Sequence, residues 1–166
     1  MTAEAFDPVG ALRVLTAHGV RFVLIGGFAA VIRGSPVITG DIDICYARDE
    51  ENLEHLAEAL RELQATLRGA PPDLPFLLDA RTLKNGDHFT FATRVGPMDC
   101  LGTPAGTAGF RDVDADATDE DLDGLTVRVA SLDDLIRMKR SAGRPKDRIA
   151  LEWLGNLREE LEGNEG

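Results

Sequence analysis

The sequence predicts a single α/β (α+β) domain built on a mixed sheet with flanking helices. A β-branched and aromatic run at residues 21–25 stops at Gly26-Gly27 and leads into a helical pattern, as in a strand–helix unit. Two alternating segments farther along, 88–94 and 98–101, indicate an antiparallel hairpin. At 166 residues, of which 43% are hydrophobic, the chain can bury one core of useful size.

The N-terminal part of the chain is predicted to begin with a helix at residues 8–18, which Gly19 ends in the usual C-terminal glycine position. The core of the domain is expected at about 20–130. It starts with the strand at 21–25 and a short helix, 28–33, that is closed by a Gly-Ser-Pro sequence.

The middle of the chain alternates again at residues 41–45, which predicts a second strand. Leucines at spacings of three and four then predict the buried face of a long helix: Leu53, Leu56, Leu60, Leu63 and Leu67. The hairpin follows, with Phe89 and Phe91 facing inward and Gly96-Pro97 as its turn.

The C-terminal part is predicted to begin with a loop at 102–124, because that stretch is rich in Gly, Thr and Asp. A last strand at 125–129 precedes the C-terminal helices of residues 131–162, the first capped by Ser131. Apolar residues at helical spacing predict the buried face of the final helix: Ile149, Trp153, Leu157 and Leu161.

Composition excludes several classes of protein. There are 18 lysine and arginine residues against 29 aspartate and glutamate residues, and the net charge of −11 weighs against broad, charge-driven binding of nucleic acid. The two cysteines exclude a disulfide scaffold and favour a cytoplasmic location. The longest apolar runs are too short for a membrane span, and the N-terminus lacks the features of a signal peptide, so we expect no membrane partner.

Asp41 and Asp43 are candidates for a metal site. Residues two apart on a strand point to the same face, so the two carboxylates lie side by side. Their mutual repulsion raises a pKa or demands a cation, and hard oxygen ligands suit Mg²⁺. Taken alone, the pair also fits two solvated carboxylates on an exposed edge strand.

Asp99 is expected to complete this acidic cluster. Its neighbours Met98 and Cys100 point the opposite way on the hairpin strand, into the core. If the hairpin lies beside the strand of Asp41 and Asp43, three carboxylates converge, and two metal ions would relieve their repulsion.

Gly26-Gly27 lies where a buried strand turns into a helix. Glycines permit close backbone approach, and the helix start offers unpaired N–H groups to a phosphate. A plain tight turn is the alternative interpretation of the same two residues.

Two groups of residues occur in an order known from one superfamily. The first group is small or acidic: Gly26-Gly27, Gly34-Ser35-Pro36, Thr39, Asp41-x-Asp43 and Asp99. The second is the segment at 134–147, which reads Asp-Leu-Ile-x-Met-Lys-x4-Arg-Pro-Lys-Asp. Together they resemble the polymerase-β-like nucleotidyltransferase superfamily, and in particular its small stand-alone bacterial members, such as abortive-infection-type toxin nucleotidyltransferases.

The resemblance implies a nucleotidyltransferase-like fold and transfer of a nucleoside monophosphate from an NTP such as ATP to an acceptor, with release of pyrophosphate. It implies that Asp41, Asp43 and Asp99 are catalytic and bind Mg²⁺, with two ions and Mn²⁺ as a substitute. It further implies nucleotide-binding residues on both sides of the site: Gly26, Gly27, Ser35, Thr39, Lys139, Arg144 and Lys146. The basic residues among them also fit ordinary surface charge.

The sequence does not identify the acceptor of the nucleoside monophosphate. It is a macromolecule such as a protein or tRNA, as in a toxin–antitoxin module with a partner protein, or a small molecule such as an antibiotic. A catalytically silent binding protein or antitoxin is the alternative to an enzyme. One position departs from the superfamily: Val37 stands where related sequences often carry Arg, and Arg33 is the candidate to compensate.

Overall fold

The structure is a computed structural model and describes residues 6–71 and 73–164, without the side chains of residues 145–147, 149 and 164. Within that part of the chain, helices and strands follow one another in this order: α1 (Pro8–Ala17), β1 (Phe22–Ile25), α2 (Gly26–Ile32), β2 (Ile42–Tyr46), α3 (Glu50–Glu62), β3 (Thr66–Leu67), α4 (Ala80–Asn85), β4 (His88–Thr93), β5 (Gly96–Leu101), α5 (Phe110–Ala115), β6 (Thr118–Leu122), β7 (Leu125–Val129), α6 (Leu132–Ala142) and α7 (Pro145–Asn164).

The strands form one mixed seven-stranded sheet in the order β3-β4-β5-β2-β1-β7-β6. β1 runs antiparallel to β2 and parallel to β7, and β2 runs parallel to β5. The predicted fold class, a mixed α/β sheet with flanking helices, is therefore confirmed. No helix in the described chain combines the length and the apolar character that a membrane crossing requires.

The core explains why the apolar patterns predicted these elements. Its largest fully buried side chains include Leu12 and Leu15 of α1, Tyr46 of β2 and Phe91 of β4. Helix starts follow the expected capping chemistry as well: the Ser131 hydroxyl accepts a hydrogen bond from the Asp134 backbone N–H at 3.1 Å.

The hairpin of β4 and β5 is confirmed, but its turn is displaced. Thr93 pairs with Gly96, so Arg94 and Val95 make the turn and Gly96 already belongs to β5. This matters for the site because β5 lies beside β2, with Asp43 directly opposite Asp99.

The loop predicted for residues 102–124 is wrong in part, because it contains α5 and β6. β6 has the sequence Thr-Asp-Glu-Asp-Leu and pairs only with β7 at the edge of the sheet. An edge strand with mostly polar side chains has no apolar alternation, so the pattern that reveals buried strands is missing here.

Two predicted helix faces also need correction. α3 ends at Glu62, and Leu67 lies in β3 instead, because Gln64 adopts a positive φ of 56° and turns the chain back toward the sheet. On α7, Trp153 and Leu161 are each 46% exposed, whereas Leu154 is buried. Leu154 directly follows Trp153 on α7, so the buried apolar face lies next to the predicted one. Periodicity alone does not decide which of the two apolar faces packs against α6. The side chain of Ile149 lies outside the described residues.

Candidate functional site

Three carboxylates converge where β2 and β5 lie side by side. Asp41 immediately precedes β2, Asp43 lies within it, and Asp99 is its direct neighbour on β5. One oxygen from each of the three lies within 4.8 Å of the others, and all three residues are half-buried. The juxtaposition expected from the sequence is thus present in the fold.

The electrostatics of this cluster favour a cation. Burial, reinforced by the neighbouring charges of Asp41 and Asp99, raises the pKa of Asp43 to about 7, while Lys139 acts in the opposite direction. An aspartate held in this way loses its proton at a free-energy cost unless positive charge is nearby. A set of hard carboxylate oxygens is also the donor type that Mg²⁺ and Mn²⁺ prefer, so the residues fit a divalent ion.

Gly26 and Gly27 make space for the acidic cluster. Gly26 has a positive φ of 73°, and a Cβ atom there would lie 2.1 Å from Oδ2 of Asp43. A Cβ atom at Gly27 would lie 3.0 Å from the Thr39 hydroxyl, which itself donates to Oδ1 of Asp41 at 3.2 Å. Gly26 is therefore required by the packing of the Asp43 carboxylate, and Gly27 leaves room for Thr39, reasons that the sequence pattern alone did not reveal.

A cleft of about 440 Å³ opens beside the carboxylates. Nine of the ten residues singled out from the sequence line it: Gly26, Gly27, Ser35, Thr39, Asp41, Asp43, Asp99, Lys139 and Arg144. The tenth, Lys146, has its side chain outside the described residues. The volume is within the range of small-molecule and cofactor pockets.

The wall of the cleft away from the carboxylates is largely apolar. It is formed by side chains from α2, α6 and α7 and from the segment after α2, including Ala30, Val37, Leu135, Met138 and Leu154. The charged residues of the cleft, which are the carboxylates, Lys139 and Arg144, and its apolar wall can therefore contact different ends of one ligand.

Comparison with solved structures identifies the fold. The lincosamide antibiotic adenylyltransferase LnuA, solved with lincomycin bound, is similar with a TM-score of 0.60 at 12% identity, over 90% of this chain and 94% of that one. The chain has a nucleotidyltransferase fold. A Thermotoga maritima protein described as a nucleotidyltransferase is similar over 89% of this chain and 92% of its own, with a TM-score of 0.56 at 17% identity.

The nucleotidyltransferase fold is also found in ANT(2'')-Ia, solved with adenylyl-2''-tobramycin. That structure matches 94% of this chain and 95% of its own, with a TM-score of 0.53 at 16% identity. No protein-family model matches the sequence, and no curated protein matches it either. The resemblance inferred from the sequence is supported at the level of the nucleotidyltransferase fold.

One residue at the acidic cluster was missed from the sequence. Arg68, just after β3, donates from Nη2 to Oδ1 of Asp99 at 2.8 Å. The two residues are 31 positions apart, and β3 was itself not predicted, so no local pattern could have linked them.

Arg33 does not compensate for Val37 in this nucleotidyltransferase fold. Its guanidinium donates to the backbone carbonyls of Val129 and Ala130 at 2.8 and 3.0 Å, and to the side chains of Thr118 and Glu120 at 2.8 Å each. These bonds tie the end of α2 to β6 and β7, away from the residues that line the cleft. The compensation expected from proximity in sequence is wrong.

Removing the Arg33 side chain should therefore reduce stability. Its side chain is only 18% exposed, so Arg33→Ala removes the guanidinium from the backbone carbonyls of Val129 and Ala130 and breaks the ion pair with Glu120. We expect the free energy of unfolding to fall by roughly 2–3 kcal/mol. Urea unfolding measures this change, and Arg13→Ala on the exposed side of α1 is the control, with an expected change within about 0.5 kcal/mol. Equal midpoints for both variants would contradict the anchoring role.

Proposed function

We propose that this protein is a divalent-metal-dependent nucleotidyltransferase, which transfers a nucleoside monophosphate from an NTP to an acceptor hydroxyl and releases pyrophosphate. The observation that carries the proposal is the convergence of Asp41, Asp43 and Asp99 at the edge of a cleft in a nucleotidyltransferase fold. Retention of all three carboxylates argues against the alternative, a silent binding protein or antitoxin of the same fold.

The three carboxylates are the proposed ligands for two Mg²⁺ ions, which Mn²⁺ can replace. Bound metal would neutralise the charge on the carboxylates and on the phosphate oxygens and would fix the geometry of an in-line displacement. Thr39 keeps Asp41 oriented through its hydrogen bond to Oδ1. Asp99, the carboxylate nearest the β3–β4 edge of the sheet, is the proposed acceptor of the proton from the attacking hydroxyl.

The nucleotide is proposed to lie in the cleft between α2 and α6. Lys139 and Arg144 line the same cleft, with Ser35 and Gly27, and provide positive charge for the triphosphate. Lys146 is assigned to the same role by the sequence resemblance alone. The apolar wall is suited to the flat face of a base, and ATP is the proposed nucleotide.

Two acceptor classes remain within the proposal. A small molecule is favoured by two structural neighbours, one solved with lincomycin and the other with an adenylylated tobramycin. A macromolecule, as in a toxin–antitoxin pair, is the other class, and the net charge of −11 makes RNA the less suitable macromolecular acceptor. The free, buried thiols of Cys45 and Cys100 agree with the proposed cytoplasmic location.

A labelling experiment tests the function and the acceptor together. The protein is incubated with Mg²⁺, each α-labelled NTP in turn, and a cell extract separated into small-molecule, RNA and protein fractions. We expect label in one fraction, together with pyrophosphate release, and a loss of at least about a hundredfold in Asp43→Asn. Label in no fraction, or equal labelling by wild type and variant, would contradict the proposal.

The basic side of the cleft gives a separate prediction. Lys139→Met and Arg144→Met should each weaken NTP binding by about ten- to a hundredfold, because each removes charge-assisted hydrogen bonds worth about 1.5–3 kcal/mol. Calorimetric titration with a non-hydrolysable NTP analogue measures the change. Arg140→Met, an exposed neighbour on α6 outside the cleft lining, is the control and should bind like wild type. Wild-type affinity in both cleft variants would place the triphosphate elsewhere.

A further inference from the structure

We propose that Arg68 is a positioning residue for Asp99, and that it also limits how strongly the acidic cluster attracts metal. This inference rests on the proposed function, because it concerns how the cluster is tuned for that reaction. The contact that leads to it is the 2.8 Å bond from Arg68 Nη2 to Oδ1 of Asp99, at the side of the cluster that faces away from α2.

The register of the sheet places Arg68 in line with the cluster. Asp43 lies opposite Asp99 on β2 and β5, and Asp99 lies opposite Thr90 on β4. The Arg68 backbone N–H donates to the Thr90 carbonyl at 2.9 Å, which extends the β3–β4 pairing by one residue. Residues at paired positions share a face of the sheet, so the Arg68 side chain reaches across β4 to Asp99.

The backbone that carries Arg68 is held on both sides. Upstream, the Ala65 N–H donates to the Leu60 carbonyl of α3 at 3.0 Å and Thr66 pairs with Ala92. Downstream, Gly69 turns the chain away with a φ of 81°. A fixed backbone lets the guanidinium define one orientation of the Asp99 carboxylate, because it holds Oδ1 in place.

The positive charge of Arg68 also affects how strongly the acidic cluster binds metal. The cluster carries three carboxylates, and Arg68 forms an ion pair with one of them, Asp99. The side chains of Arg68 and Asp99 are 38% and 18% exposed, so solvent weakens the electrostatic attraction between them without removing it. The guanidinium therefore competes with a metal ion for Asp99 and reduces the negative potential of the whole site.

These two effects predict changes of opposite sign when the side chain is removed. In Arg68→Met the cluster should bind metal more tightly, because its competitor is lost. Transfer should nevertheless slow, because Asp99 is no longer held in one orientation. A residue that only supported the fold would weaken metal binding and activity together.

The test combines Mn²⁺ binding with steady-state kinetics. In Arg68→Met, we expect the Mn²⁺ dissociation constant, measured by electron paramagnetic resonance, to fall by about three- to fivefold. We expect kcat to fall at least tenfold while KM for the NTP changes less than about threefold. Arg68→Lys keeps the charge but not the planar fork, so its Mn²⁺ affinity should stay near that of wild type and its kcat should be partly restored.

Arg94→Met is the matched control. Arg94 lies in the turn between β4 and β5, and its side chain is 37% exposed, close to the 38% of Arg68. It contacts Glu62 in place of the cluster, so its loss should leave Mn²⁺ binding unchanged. Unchanged or weaker Mn²⁺ binding in Arg68→Met would overturn the inference, as would tighter binding with a wild-type kcat. If wild type bound Mn²⁺ but transferred no nucleotide, the proposed function and the positioning role would both fail, while the competition for metal would still be decided by the Mn²⁺ titration.

Discussion

Replacing Asp43 with Asn should stabilise the metal-free protein at pH 8 by about 2–4 kcal/mol, although it removes one of the three proposed metal ligands. The reason is that burial and two neighbouring carboxylates raise the pKa of Asp43 to about 7, from a usual value of 3.8. One pKa unit corresponds to about 1.4 kcal/mol, so the ionised Asp43 destabilises the folded state by up to roughly 4 kcal/mol. Asn has a similar shape and carries no charge.

The pH dependence has a definite sign. Below about pH 4, Asp43 is protonated in both the folded and the unfolded chain and contributes no penalty. Between pH 4 and 7 the unfolded chain loses this proton first, so the stability of wild type relative to Asp43→Asn falls as the pH rises. Above pH 7 the full difference is present.

Urea unfolding of both proteins between pH 4 and pH 8, without divalent ions, measures this difference. Asp121→Asn on the exposed edge strand β6 is the control, and its effect should stay within about 0.5 kcal/mol at every pH. Addition of Mg²⁺ should stabilise wild type, and Asp43→Asn should lose most of that gain, because the variant lacks one of the three proposed ligands. A variant that is less stable than wild type at pH 8 would contradict the electrostatic account.

Gly26→Ala should damage both the site and the fold. A Cβ atom at this position would lie 2.1 Å from Oδ2 of Asp43, which forces the carboxylate to move, and the φ of 73° is itself unfavourable for alanine. We expect a stability loss of roughly 2–4 kcal/mol and at least about a hundredfold lower kcat/KM, because an error of about 1 Å in catalytic geometry has effects of that size.

Gly143→Ala separates the two causes. Gly143 has a similar φ of 65° at the end of α6, but no atom of the described residues beyond its chain neighbours and its own helix lies within 4 Å of the added Cβ atom. It should lose about 1 kcal/mol and keep most of its Mn²⁺ affinity. Thermal unfolding and Mn²⁺ titration of the two variants give the comparison, and similar results for both would show that the contact with Asp43 is unimportant.

Much of the fold could be predicted from the sequence because burial leaves a periodic trace. The leucines of α3 recur at helical spacing because one face of that helix is buried, and β1 is a continuous apolar run because both faces of that strand are buried. β6 left no such trace because most of its side chains are polar and it lies at the edge of the sheet. Leu67 was assigned to the wrong element because a single backbone reversal at Gln64 breaks the helix without any Gly or Pro to signal it.

The candidate site was predictable where its residues share a strand or a motif, as Asp41 and Asp43 do. Asp99 required the further assumption that the hairpin lies beside β2, and the register confirms that placement. Arg68 and the space-making role of Gly26 were not predictable, because both depend on side-chain contacts across different strands. Such contacts are set by tertiary packing and leave no spacing in the chain.

A crystal structure with Mn²⁺ and a non-hydrolysable NTP analogue tests the central claim most directly. Anomalous scattering locates manganese independently of the protein coordinates, so it reports which side chains hold the metal. We expect anomalous peaks within coordination distance of Asp41, Asp43 and Asp99, with the triphosphate between them and Lys139. Manganese at another group of residues, or a nucleotide outside this cleft, would contradict the account.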